Sequence, residues 1–492
     1  MSDKSYVLAL DIGTSSVRAI LYDRQARPVP GAEVHVRHEP RIEFDGTSEM
    51  DADELADLVW ASVVQLIARA GAQRASSIAG VGVSTFWHGL VAADESGRAL
   101  SPVYLWSDTR SWKSIERLKD RLDPEAVRQR TGCPVHTSYW PAKLAWLRSQ
   151  RPDLWSRSVR WMSFGDLLFW RMFGKVGTSV SMASGTGLFG LADCGWDQEL
   201  LSVLEISKES LPPIAQAEQM LARSYHRLVP QLGDIPWLHA VGDGALANLG
   251  SGCITPAMRA LTVGTSGALR AIDSAPPTHI PPGLWCYRLD AKRVVIGGAL
   301  SNGGNLRKWL VDTLRVQERK LEDAVSNMVP GAHALTVLPH LAGERSLGYA
   351  THAFGAIAGI TSATTAEDIA RAGLEAVAIE FARVDRRLDE VIPGATTLVA
   401  SGAALLRSPA WMQMMADAIG RPVAAAKAKE ASSRGAALLA LEWLGMAEPA
   451  RVNPGTDRVF EPRADLAATY RGIEARQEIL YRALIGDRIL GT

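Results

Sequence analysis

The sequence predicts a mixed α/β protein of two related lobes flanking a central cleft, on three observations. The stretch Leu10-Asp11-Ile12-Gly13-Thr14-Ser15-Ser16-Val17-Arg18-Ala19-Ile20 returns half a chain later as Val263-Gly264-Thr265-Ser266-Gly267-Ala268-Leu269-Arg270-Ala271-Ile272, one residue longer after the shared Gly-Thr-Ser. Internal repeats of this kind mark duplicated units. The 492 residues exceed what one hydrophobic core ordinarily supports. In both halves, short strand patterns give way to helical spacing, the sign of α/β lobes.

Taken in order, Tyr6 to Leu10 and Val17 to Tyr22 read as paired strands, with Val34 to His38 as a third. From Asp51, apolar Leu55, Leu58, Val59, Val63, Leu66 and Ile67 recur at helical spacing, and Asp51 with Glu54 has the form of a capping box. Ile78 to Val83 reads as a buried strand. Glycine-rich pieces around residues 245 to 255 mark the expected break and a candidate hinge, giving domains 1–247 and 248–492. The second half opens again with strands at Ala260 to Val263, Leu269 to Ile272 and Val294 to Ile296. Helices are expected over Ala366 to Leu388, Ala410 to Ile419 and Arg434 to Leu444.

Lys plus Arg and Asp plus Glu are both 53. No global field therefore draws nucleic acid or an anionic membrane, and a small-molecule partner is expected. The four cysteines are scattered without a Cys-x-x-Cys pair, which argues against zinc or a disulfide framework and fits a reducing cytoplasm. Neither a signal peptide nor a long apolar run is apparent in the sequence, and a homodimer is left open.

Neither a Gly-x-x-x-x-Gly-Lys-Ser/Thr loop nor a strand-linked Gly-x-Gly-x-x-Gly occurs. The Gly-Thr-Ser bends offer another phosphate grip, converging backbone N–H groups with two hydroxyl donors. Asp11, at the end of the first strand, either bonds its own turn or faces phosphate across a divalent cation. The second copy has Val263 rather than an acid before its glycine, so the hairpin itself needs no carboxylate, and Mg2+ is expected at Asp11.

With these bends, the ordered segments Trp87-His88-Gly89-Leu90, Trp106-Ser107-Asp108-Thr109-Arg110, Lys143-Leu144-Ala145-Trp146-Leu147 and Ser181-Met182-Ala183-Ser184-Gly185-Thr186 resemble the FGGY carbohydrate kinases. So do Gly298-Ala299-Leu300-Ser301-Asn302-Gly303-Gly304, Gly343-Glu344-Arg345, Ser401-Gly402-Ala403 and Ser408-Pro409-Ala410-Trp411 in the second half. The resemblance, nearly end to end, implies two ribonuclease-H-like domains of the actin-like ATPase superfamily. The first would carry the sugar and one phosphate hairpin, the second the nucleotide.

It further implies ATP and Mg2+ as cofactors and Asp243, in Gly242-Asp243-Gly244, as the catalytic base that also touches substrate. The implied phosphate contacts are Gly13, Thr14, Ser15, Arg18, Gly264, Thr265 and Ser266. Gly298, Gly303, Gly304, Gly402, Ala403 and Ser408 are carried over as nucleotide-side positions, although glycines beside strands also serve packing and turns. For Trp87 and His88 the resemblance favours sugar contact over a structural role, while Asp108 either holds sugar hydroxyls or pairs with Arg110. The expected reaction is phosphorylation of gluconate to 6-phosphogluconate. The alternatives are a xylulokinase or other polyol kinase and, from another class, an actin-like ATPase without sugar transfer.

Overall fold

The computed structural model describes residues 4–215, 229–233 and 235–486. The elements that frame the cleft begin with β1 (Tyr6–Ile12), β2 (Ser16–Asp23), β3 (Pro28–Arg37), α1 (Ala52–Ser76), β4 (Ile78–Thr85), β5 (Val241–Gly242) and α2 (Asp243–Gly250). They continue with β6 (Met258–Val263), β7 (Gly267–Asp273), β8 (Trp285–Arg288), β9 (Val294–Leu300), α3 (Gly304–Leu314) and α4 (Ala366–Asp389). The last are β10 (Thr397–Ser401), α5 (Pro409–Ile419), β11 (Val423–Ala426), α6 (Ala431–Trp443) and β12 (Thr456–Phe460).

The duplication is visible in topology. The first sheet runs β3-β2-β1-β4-β5, with β1 antiparallel to β2 and parallel to β4. The second contains β9-β7-β6-β10-β11 in the same order and sense, extended by β8 at one edge and β12 at the other. The strands and helices expected from the sequence are present with ends shifted by a few residues, whereas of the expected capping box only the Asp51 half forms. Asp51 caps α1 by accepting from the amides of Asp53 and Glu54, and Gly71 interrupts that helix at φ 76°.

β1 is apolar on both faces because it is covered twice. α1 packs on the neighbouring β2 and β3, and α6, which comes from the second half of the chain, lies against β1 and β4. α1 is long and apolar enough to cross a membrane by length and composition, but its Leu55, Val59, Val63 and Leu66 are buried in this core. α6 also crosses α2 at close range. A Cβ on Gly250 would meet the Ala431 carbonyl at 1.8 Å, and one on Gly435 the Leu246 carbonyl at 1.9 Å.

The glycine-rich stretch expected to be a hinge is therefore the buried α2, its glycines selected by helix crossing rather than flexibility. Position 247 falls inside α2, and residues 251–257 make the connection to the second sheet.

The long insertion between β4 and β5 builds a third core around Leu90, Trp140, Leu144, Trp161 and Phe189. Its rim clasps the edge strand β8. The Cys286 amide donates to the Gly132 carbonyl at 2.9 Å, the Arg288 amide to Ser184 Oγ at 2.9 Å, and the Tyr139 and Tyr287 hydroxyls meet at 2.6 Å. An edge that would otherwise invite pairing with another chain is thereby closed. All four cysteines are free thiols.

Candidate active site

Both Gly-Thr-Ser bends have accessible tips. The first closes through the Gly13 amide donating to the Ser16 carbonyl, the second through Gly264 to Ser266, each at 2.9 Å. Ile12 pairs with Val17 but Val263 pairs with Gly267, so the second bend is one residue tighter. The shared Arg-Ala-Ile is consequently out of register. Arg18 lies opposite Asp11, whereas Arg270 lies opposite Ala260, and the residue matching Asp11 two places before the glycine is Thr262 rather than Val263.

Asp11 is buried, opposite Ser84 on β4, with Arg18 Nη1 at 3.4 Å. Burial raises its carboxyl pKa, and Arg18 offsets that only in part. Arg18 also reaches Glu430, at the start of α6, at 3.0 Å. Such a carboxylate, short of positive charge, suits a hard cation that takes one or two carboxylates and otherwise keeps water and phosphate ligands. Among the described residues no group of three or more His, Cys, Asp or Glu is placed to hold a metal by itself.

Asp243 opens α2 directly after β5, and its carboxylate accepts from the neighbouring Gly244 amide at 2.8 Å. Burial, reinforced by repulsion from Asp11 and opposed by Arg270, lifts its pKa to about 6. It thus lies within the electrostatic influence of Asp11 on β1 and Arg270 on β7.

Trp87 wedges beneath this junction. Cβ atoms on Gly185, Gly242 or Gly244 would come within 2.4, 1.9 and 2.7 Å of its ring, and its N–H donates to the Ser181 carbonyl at 3.0 Å. It positions the loop that presents Asp243 and has no polar group left for a sugar. His88, held at φ 68°, donates from Nδ1 to the Gly185 carbonyl, which leaves Nε2 as an acceptor. Burial pushes its pKa down to about 3, so the ring is neutral. Its neighbours Tyr139 and Tyr287, with ring centroids 4.9 and 5.5 Å away, complete an aromatic wall.

On the second lobe three bends converge. The Gly304 amide donates to the Gly264 carbonyl at 2.8 Å, the Asn305 amide to the Thr265 carbonyl at 3.0 Å, and Thr262 and Ser401 share a hydroxyl bond of 3.0 Å. Gly402, at φ 92° and pressed on Val263, leads into Ala403. A Cβ at Gly264 would meet nothing within 4 Å, so this face of the bend is open.

Three expected positions are taken up by internal partners or packing. Both oxygens of the buried Asp108 are engaged, one by the Arg110 amide at 3.1 Å and the other by the Ser48 amide at 3.2 Å, with the Arg110 guanidinium across both. Its pairing role therefore holds, internally rather than at a surface. Gly298 is buried in β9, where a Cβ would strike Val384 on α4 at 2.7 Å. Ser408 is a buried cap of α5, donating to Glu322 at 2.6 Å. Burial, which the sequence does not display, decides all three.

The residues missed by sequence reasoning are Arg270 and Arg345, the first hidden by the register slip. Lys143, quoted only within a motif, is buried with Nζ donating to the Thr137 and Ser138 carbonyls at 2.6 and 2.7 Å.

The model of the FGGY family of carbohydrate kinases matches residues 6–250 with its N-terminal domain and 260–442 with its C-terminal domain. The chain belongs to this family. As an FGGY kinase it is an ATP-dependent phosphotransferase, which sets aside the actin-like ATPase without sugar transfer. It is 29% identical over 457 residues to a gluconokinase of Bacillus subtilis (strain 168), covering 90% of this chain and 88% of that protein. It is 31% identical over 486 residues to a glycerol kinase of Aromatoleum aromaticum, covering 93% and 94%. The FGGY fold is equally evident in solved structures. A ligand-bound xylulose kinase from Lactobacillus acidophilus superposes with TM-score 0.90 at 27% identity, covering 98% of this chain and 99% of that one. A gluconate kinase from the same organism gives 0.89 at 27%, covering 98% of each.

Proposed function

We propose that this kinase transfers the γ-phosphoryl group of ATP to gluconate, giving 6-phosphogluconate. The observation that carries the chemistry is Asp243, buried at the start of α2 under the opposing influence of Asp11 and Arg270, with a pKa lifted to about 6, near where a general base works best. In this reading Asp243 accepts the hydroxyl proton as the oxygen attacks. The amides and hydroxyls of Gly13, Thr14, Ser15, Gly264, Thr265 and Ser266 hold phosphate oxygens, with Gly303, Gly304, Gly402 and Ala403 beside the nucleotide and Arg18 steadying Asp11. Asp11 would hold Mg2+, which supplies charge neutralisation on the phosphates. His88 accepts from a sugar hydroxyl through Nε2. The gluconokinase relatives and the gluconate kinase structure support this acceptor.

Xylulose is the second reading, supported by the superposition on the ligand-bound xylulose kinase. A cytoplasmic location and small-molecule partners alone complete the proposal. ADP release measured over gluconate, xylulose, ribulose and glycerol tests it. Gluconate is expected to give the highest kcat/KM, and a higher value for xylulose would replace the assignment. Asp243→Asn should lower kcat at least about a hundredfold, the usual scale of a general base, with ATP still bound.

A further inference from the structure

Two arginines, the buried Arg270 and the half-buried Arg345, lack the counter-charge that arginines so placed ordinarily have. Among the described residues neither Arg270 nor Arg345 has a carboxylate within ion-pair distance, although both are lowered in pKa by burial. Arg270 is accounted for by its influence on Asp243. Arg345 is not.

Arg345 lies over the Trp106 ring, 4.3 Å from its centroid, and its Nη2 donates to the Leu300 carbonyl at 3.0 Å. Its Nε is shut off from solvent with no partner. The adjacent Glu344 gives no relief, since its oxygens accept from the Gly348 and Ala350 amides and from the Tyr481 hydroxyl. The group borders a cavity of about 200 Å³ between the lobes, also lined by Trp106, His136 and Ser301. The nearby imidazoles of His88 and His136 are kept neutral by burial, so they do not compete for an anion.

Removing a guanidinium from water is costly unless an anion or full hydrogen bonding replaces the solvent. The planar fork matches a carboxylate in a way a lone ammonium does not, and stacking on an indole fixes its plane. We infer that Arg345, braced on Trp106, receives the carboxylate of the acceptor, so that the cleft selects aldonates over neutral polyols and ketoses of similar length. This rests on the gluconate reading and names the side chain that would carry it.

The test compares gluconate with glucitol, its neutral analogue, in the full-length enzyme and in Arg345→Gln and Arg345→Lys. For Arg345→Gln the KM for gluconate should rise at least about thirtyfold, with kcat changed less than about threefold and the KM for ATP unmoved. The gluconate-to-glucitol ratio of kcat/KM should fall at least about tenfold, and Arg345→Lys should lie between. Calorimetric titration with gluconate reports the same loss without turnover, and melting temperatures within a few degrees of wild type exclude misfolding.

An unchanged ratio, an equal loss on both acceptors, or a rise in the KM for ATP instead would overturn this inference while leaving gluconate as substrate. A wild-type enzyme that uses only neutral acceptors would overturn the gluconate reading and this one together.

Discussion

Asp243 is the residue whose environment makes the most direct statement about rate. With a pKa of about 6 it is ionised at neutral pH and protonated in acid, so kcat/KM should fall about tenfold per unit below pH 6 and flatten above it. Burial and Asp11 raise that value and Arg270 lowers it, so Arg270→Met should move the acid limb to higher pH. A limb that stays in place in that variant would remove Arg270 from the account. Because Asp11 is short of positive charge, Asp11→Asn should raise the Mg2+ concentration for half-maximal activity at least about tenfold, read by metal titration at saturating ATP. At this scale the sequence was partly legible. Asp243 and the bends stand out by spacing and resemblance, whereas Asp108, Gly298 and Ser408 carry the right letters in places where internal partners occupy them. Arg270 was printed in the repeat, yet only strand register shows that it does not match Arg18.

Among the elements, the α2–α6 crossing has the sharpest consequence. In an exposed helix Gly435→Ala would gain about 1 kcal/mol from propensity. Here the added carbon would lie 1.9 Å from the Leu246 carbonyl, and overpacking of this kind costs about 1–3 kcal/mol or more. The variant should therefore melt below wild type, with activity reduced because α2 presents Asp243 from its first residue. A melting temperature equal to or above wild type would show that the helices separate freely. Periodicity and capping made α1, α4, α5 and the opening strands readable. The same periodicity could not say that α6 crosses to the other lobe's sheet, since that choice is made by packing at a distance, and it read α2 as a hinge because glycine serves both purposes.

For the whole molecule, the clasp on β8 and the cleft between the bends together predict where motion is allowed. The lobes are tied at Gly132, Ser184 and Tyr139, so closure over ATP and acceptor should pivot near that seam and bring the bends together. Such closure would keep water from competing for the phosphoryl group. Amide exchange with a non-hydrolysable ATP analogue and gluconate should slow at residues 13–16 and 264–266 and change little at 285–288. Uniform protection, or none at the bends, would contradict that pivot. The two-lobe plan was legible from the repeat, while the insertion that holds β8 was not, because its short helices carry no periodic signal of a separate layer.

The placement of α6 also bears on the order of assembly. Its Ala436, Ala437, Leu438 and Ala440 fill the core of a sheet whose strands were translated hundreds of positions earlier. A polypeptide ending at residue 257 would leave β1 and β4 stripped of one wall, so the first lobe can be sealed only after α6 has been made.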